Sequence, residues 1–246
     1  RIDNSISQAN NPANDMLALY SDLKNTFKEL NLSANISLIY NLKNYLNIQL
    51  LAGRGSRAPN LSERYINHFT IGQDAHEYVG NPALKSEINY QSDFVIQKKN
   101  SFYEITIDLF YSKINNYISA AVDTNLHRKY MPCQDPPYAK RFQNIPDANF
   151  KGLDVSAMIK IYKQMHFTAN LTYTHAQNTS WNEPIPEIPP VYINIKFDYK
   201  NDIIRTGIHA KLAGKQNRVA PSFNESTSPS YQVIDLYLNY IIVETH

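Results

Sequence analysis

The chain has 246 residues, with 24 Lys and Arg against 22 Asp and Glu, so its formal net charge of +2 gives no bulk case for nucleic-acid binding. One Cys excludes a disulfide framework within the chain, and no run approaches the roughly 18 consecutive apolar residues of a membrane helix. The N-terminal Arg1-Ile2-Asp3-Asn4-Ser5 has no signal-peptide core. A mean hydropathy of −0.45 suits a soluble protein, yet a barrel whose strands alternate polar with apolar averages to the same value. The 18 Tyr favour strands, and interfaces where a ring has a dry side and a wet end.

Residues 1–29 begin Asn- and Ser-rich, and Met16 to Phe27 has room for one more strand or a loop end. A period of two then dominates. Leu30, Leu32, Ala34, Ile36, Leu38 and Tyr40 share one face, against Asn31, Ser33, Asn35 and Ser37. After a short turn at 40–45 comes a strand that closes near Gly53, then a long link at 54–86. A second short turn at 98–101 leads to Ile105, Ile107, Leu109 and Tyr111 against Glu104, Thr106 and Asp108. A long link at 116–147 follows. Val155, Ala157, Ile159 and Ile161 then oppose Asp154, Ser156 and Lys160, with a turn at 162–165. Phe167, Ala169, Leu171 and Tyr173 alternate with threonines and Asn170 up to a link at 175–189. Val191, Ile193, Ile195, Phe197 and Tyr199 form one face of the next strand, and a turn at 199–202 joins it to Ile204, Thr206, Ile208, Ala210 and Leu212. The last long link, 214–230, precedes Ile234, Leu236, Leu238, Tyr240 and Ile242.

A helix would scatter these apolar residues around its axis, so the runs are strands. They extend for roughly 9–14 residues, longer than the usual 5–6 and matched to a tilted crossing of a bilayer. Short turns alternating with long links describe a bacterial outer-membrane barrel. The expected fold is therefore all-β: part of an antiparallel transmembrane β-barrel, about nine or ten strands, with short periplasmic turns and long extracellular loops.

Arg57-Ala58-Pro59 opens the first long link, and Gly80-Asn81-Pro82-Ala83-Leu84-Lys85-Ser86-Glu87 ends it. Asn144 to Asp154, with Ala148 and Gly152 between, begins one strand, and Ile188-Pro189-Pro190 ends another loop. In this order the four segments resemble the barrel motifs of TonB-dependent outer-membrane receptors, over about residues 30–243. Asp154 stands where that family usually has Glu, and Ser86 where Pro is frequent. The resemblance implies a 22-stranded barrel, an N-terminal plug and a TonB-contacting segment. On that reading residues 1–246 are an internal part of the barrel domain, with the plug and the remaining strands absent. It also implies TonB-energised uptake of a scarce nutrient: a ferric siderophore, another metal or a cobalamin-like ligand. Outer-membrane lipid, the TonB complex through the missing plug, and the nutrient are the expected partners. A passive porin-like or structural barrel is the alternative. No cofactor is expected, and no nucleophile elbow, phosphate loop, dinucleotide fingerprint or zinc motif suggests an enzyme.

The motif residues Arg57, Ala58, Pro59, Gly80, Asn81, Pro82, Leu84, Glu87, Gly152, Asp154, Pro189 and Pro190 have an architectural reading, since Pro suits strand ends. Tyr65, His68, His76, Tyr130, Tyr138, Arg141 and Trp181 lie in the long links and could hold an anionic, aromatic-bearing ligand by stacking and charge. The same residue types also make an interfacial girdle and meet headgroup phosphates. His127, Met131 and Cys133 offer soft-metal donors, but at a spacing that matches no defined site.

Overall fold

A computed structural model describes residues 1–9, 13–20, 26–42, 45–72, 74–130 and 135–241. Strands β1 (Ile2–Gln8) and β2 (Thr26–Leu32) form a hairpin, and helix α1 (Asn14–Leu19) lies in the segment between them. The strand expected through 30–40 breaks at Ser33. Leu32 ends β2, which pairs with β1, and Ala34 begins β3 (Ala34–Leu42), which pairs with β4 (Leu46–Arg57). Helix α2 (Leu61–Tyr65) and the short strands β5 (Asn67–Phe69) and β6 (Tyr78–Val79) fill the first long link. The remaining strands are β7 (Glu87–Lys99), β8 (Tyr103–His127), β9 (Tyr138–Tyr162), β10 (Met165–Asn178), β11 (Glu183–Pro184), β12 (Tyr192–Lys200), β13 (Ile204–Ala213) and β14 (Tyr231–Tyr240).

Nine strands make one antiparallel sheet in the order β3-β4-β7-β8-β9-β10-β12-β13-β14. The sheet is open: β3 and β14 are its two edges among the described residues. The register shows why the sequence alternates. One cross-strand row reads Tyr40, Ile48, Ile96, Ile107, Val155, Leu171, Ile193, Leu212, Gln232. The adjacent row reads Asn41, Asn47, Gln97, Thr106, Ser156, Asn170, Asn194, Lys211, Val233. A one-residue slip would exchange these faces, so register is fixed by the side-chain period.

The link expected at 116–147 is mostly strand. β8 and β9 are each 25 residues long and stay paired out to His127 and Tyr138, so only 128–137 is a connection. The period of two is lost here because Ile118, Ala120 and Ala121 are all buried. A strand covered on both faces need not alternate.

The tight turns lie at one end of the sheet and the folded loops at the other. Ile114, Ala148, Phe150 and Ala176 continue the polar-row parity, and this side of the sheet receives Ile185 and Ile188 from the link after β10. The loops therefore fold over the polar face.

Candidate functional site

The first loop is tied at its base. Arg57 and Glu87 are register partners, and Arg57 Nε donates to Glu87 Oε2 at 2.7 Å. Arg57 Nη1 reaches both Glu63 oxygens at 2.9 and 3.0 Å. Glu63 also completes a capping box with Asn60, which starts α2 by meeting two otherwise orphaned N–H groups. The second Glu87 oxygen accepts from the Ile118 N–H at 2.6 Å, fastening the loop base to β8.

The chain then returns across α2. Gly80 N–H donates to Ile66 O at 2.7 Å and Asn81 N–H to Glu63 O at 2.9 Å. Pro59, Gly80, Pro82 and Leu84 are buried in this fold-back, with Ala58 half-buried beside them. The buried Arg64 side chain donates to Pro82 O and pairs with Glu29 at 3.0 Å. Gly152 is dictated in the same way, by Phe110 on one neighbouring strand and the Tyr173 carbonyl on the other. Asp154 lies on the polar-row parity, directly opposite Asp108. Pro189 and Pro190 line a crevice beside β10 and the 215–218 segment.

β6 pairs in parallel with the edge of β9 at Lys140 and Arg141, beyond the point where β10 ends at Asn178. Charge is buried at this pairing. The Glu77 carboxylate accepts from the N–H groups of Lys129 at 2.8 Å and Tyr130 at 3.0 Å, and lies 3.1 Å from His68 Nδ1. Burial works against the Glu77 anion, but those N–H groups and His68 outweigh it and hold its carboxyl below the usual range. Lys140 is fully buried, paired with Asp74, and its Nζ lies 3.2 Å from the centre of the Phe223 ring. Burial likewise opposes the Asp74 anion. Lys140, the His76 N–H and the Tyr78 hydroxyl prevail and keep it ionised.

The residues expected to contact a ligand divide by exposure. His68 and His76 are turned inward, 8% and 3% exposed. His76 Nδ1–H donates to the Tyr138 carbonyl at 2.8 Å, leaving Nε2 to accept from Asn224 at 3.3 Å. Tyr65 is half-buried, with its hydroxyl 3.4 Å from Ser7 Oγ. Tyr138 packs against His127 in a tilted arrangement with ring centroids 5.2 Å apart. Arg141 pairs with Asp123 at 2.6 Å and keeps 41% of its side chain exposed. Tyr130 and Trp181 are exposed, at 63% and 40%. Met131 and Cys133 lie outside the described residues, and no group of three His, Cys, Asp or Glu side chains is placed to hold a metal among those described. The buried ionic contacts of Glu77, Asp74 and Lys140 have no spacing signature in the sequence. Their one trace is aromatic neighbours at Tyr78 and Phe142.

A family model described as TonB dependent receptor-like, beta-barrel matches residues 3–243. A curated relative, the heme/hemopexin utilization protein C of Haemophilus influenzae, is 24% identical over 232 residues, covering 87% of this chain and 32% of the relative. Among solved structures, the copper transporter OprC superposes with a TM-score of 0.74 at 17% identity, covering 89% of this chain and 32% of that one. The ferric enterobactin receptor of Pseudomonas aeruginosa gives 0.64 at 19% identity, covering 88% and 33%. The chain thus spans about a third of the length of these proteins.

Proposed function

Because the chain belongs to the TonB-dependent receptor β-barrel family, we propose that it supplies part of the wall and outer loops of a bacterial outer-membrane receptor for TonB-energised nutrient uptake. The observation that carries this reading is the pair of adjacent rows that stay one apolar and one polar across eight strands, from β3 to β13. An apolar row meets lipid and a polar row meets a lumen, and for strands only a closed barrel satisfies every backbone group at membrane depth. Nine strands are under half of the roughly 22 in such transporters, so closure belongs to the whole receptor.

The nutrient is a small metal-bearing compound. The matched proteins are named for three such cargoes: heme, copper and ferric enterobactin. Tyr130, Trp181 and Arg141 keep exposed surface in the loop region, which supports stacking and charge as the means of capture. The inward-turned His68 and His76 set the shape of the loops instead.

The test is uptake by a strain lacking the full-length parent, measured with and without TonB across iron chelates, copper, heme and cobalamin. Loss of one TonB-dependent uptake is expected and names the cargo. If no uptake depends on TonB and small solutes leak through, the protein is a passive porin.

A further inference from the structure

The polar face of the sheet is divided by charge. On β7, β8 and β9 it carries Asp93, Asp108 and Asp154. Asp108 and Asp154 are register partners, and Asp93 lies one row nearer the loops. Asp108 Oδ1 meets no hydrogen-bond donor among the described residues. The cations that share this face of these three strands, Lys99 and Lys160, stand at the turn end.

On β12 and β13 the same face is basic. Lys211 is level with Asn194, Lys196 with His209, and Lys200 with Arg205. Alternate residues of a strand lie about 7 Å apart, so these levels cover roughly 20 Å of strand. The acids among them are shared. Asp198 lies 3.1 Å from Lys196, and Asp235 lies 3.9 Å from both Lys211 and His209. The Lys196 and Lys211 side chains keep 35% and 40% of their surface exposed, and Lys200 and Arg205 are exposed too.

We propose that the polar face of β12 and β13 is the lane along which an anionic nutrient leaves the lumen, handed from Lys211 to Lys196 and then to Lys200 with Arg205. Lys and Arg line pores that pass anions, and passage needs sites that hold a solute weakly and repeatedly. The shared acids Asp198 and Asp235 supply that weakness. Asp93, Asp108 and Asp154 repel the same solute from β7 to β9, so the field of the wall keeps it on one side. A bare metal cation would be drawn to those acids instead. A permanently seated acidic partner would be better held by cations with no acids beside them. The lane deepens the uptake reading above and rests on it, since only there does the polar face line a lumen.

The experiment places single thiols in the full-length parent, in cells with and without TonB, after Cys133 is changed to Ser. Thr168→Cys puts a thiol beside Lys196, its register partner, and Val95→Cys puts one beside Asp108. The probes are two methanethiosulfonates of similar size, one carrying a sulfonate and one a trimethylammonium group. The ratio of sulfonate to ammonium modification rates is expected to be roughly tenfold higher at Thr168→Cys than at Val95→Cys. Adding K196Q/K211Q should bring the two ratios together. Equal ratios in the parent, or a difference that survives K196Q/K211Q, overturn the proposal. So does a thiol at 168 that neither reagent reaches during uptake, which would mark a face sealed by a fixed partner. A copper ion or an uncharged chelate as the TonB-dependent cargo overturns it as well. The two readings fail separately. Equal ratios with TonB-dependent uptake intact sink the lane alone, whereas a retained difference without TonB dependence sinks the uptake reading and leaves an anion lane in a passive pore.

Discussion

Gly80 lies against Arg64 so closely that a Cβ built on it would stand 2.5 Å from the Arg64 carbonyl oxygen. The obstacle is backbone, which cannot swing aside. Gly80→Ala is therefore expected to push the returning chain off α2 and cost about 1–3 kcal/mol, as overpacking does. Limited proteolysis should show new cleavage within 58–86 while the nine-stranded sheet stays folded. An unchanged digestion pattern would mean that the fold-back is looser than the geometry indicates.

Lys140 and Asp74 form a pair in which the cation is fully buried. Removing one member strands the other, at a cost of roughly 3 kcal/mol, whereas replacing both by apolar or neutral groups is near neutral. Thermal unfolding of K140M, D74N and the double variant checks this. The double variant should recover most of the loss, and additive losses would show that the two residues act separately.

Acid should open the loops late. Both Glu77 and Asp74 are held below their ordinary values of 4.5 and 3.8, so the folded state favours their anions. A lowered carboxyl contributes stability that is complete above its unfolded value and disappears as pH falls through its folded one. Protease resistance of the loops is thus expected to hold from neutrality down to those ordinary values and to fail only below them. E77Q should flatten this acid limb, and a loss of protection near pH 6 would point to histidines instead.

The two faces can be distinguished by a single charge. Leu171 and Asn170 are neighbours in β10 that belong to the apolar and the polar row. Leu171→Lys is expected to cost about 2–4 kcal/mol in a membrane, and Asn170→Lys close to nothing. Yield of assembled receptor in the outer membrane, compared between the two, measures it. Equal yields would remove the assignment of lipid to the apolar face.

The sheet was legible wherever one face of a strand is apolar and the other polar, as at Leu171 and Asn170. It was hidden where both faces are covered, which is why Ile118 to Val122 read as a link although it is strand. The break at Ser33 was also hidden, since Leu32 and Ala34 keep the alternation and only their partners differ. In the loops, Gly80 and Pro82 were visible because backbone geometry restricts residue type. Glu77 and Lys140 were not, because a buried charge is defined by partners brought from elsewhere in the chain. His68 and His76 looked like surface donors for the same reason.

The parallel pairing of Tyr78 with Lys140 spans 62 residues of chain, and Gly80 to Arg64 closes against it. The hairpins beneath are joined by turns of two or three residues, as at Lys163 and Gln164. Closing a long loop costs more chain entropy than closing a hairpin, and it needs β9 already in place as a template. The order of assembly follows from topology: adjacent strands zip first, and β6 docks last. Pulse-labelled hydrogen exchange during assembly should find β8 and β9 protected before Tyr78 and Val79.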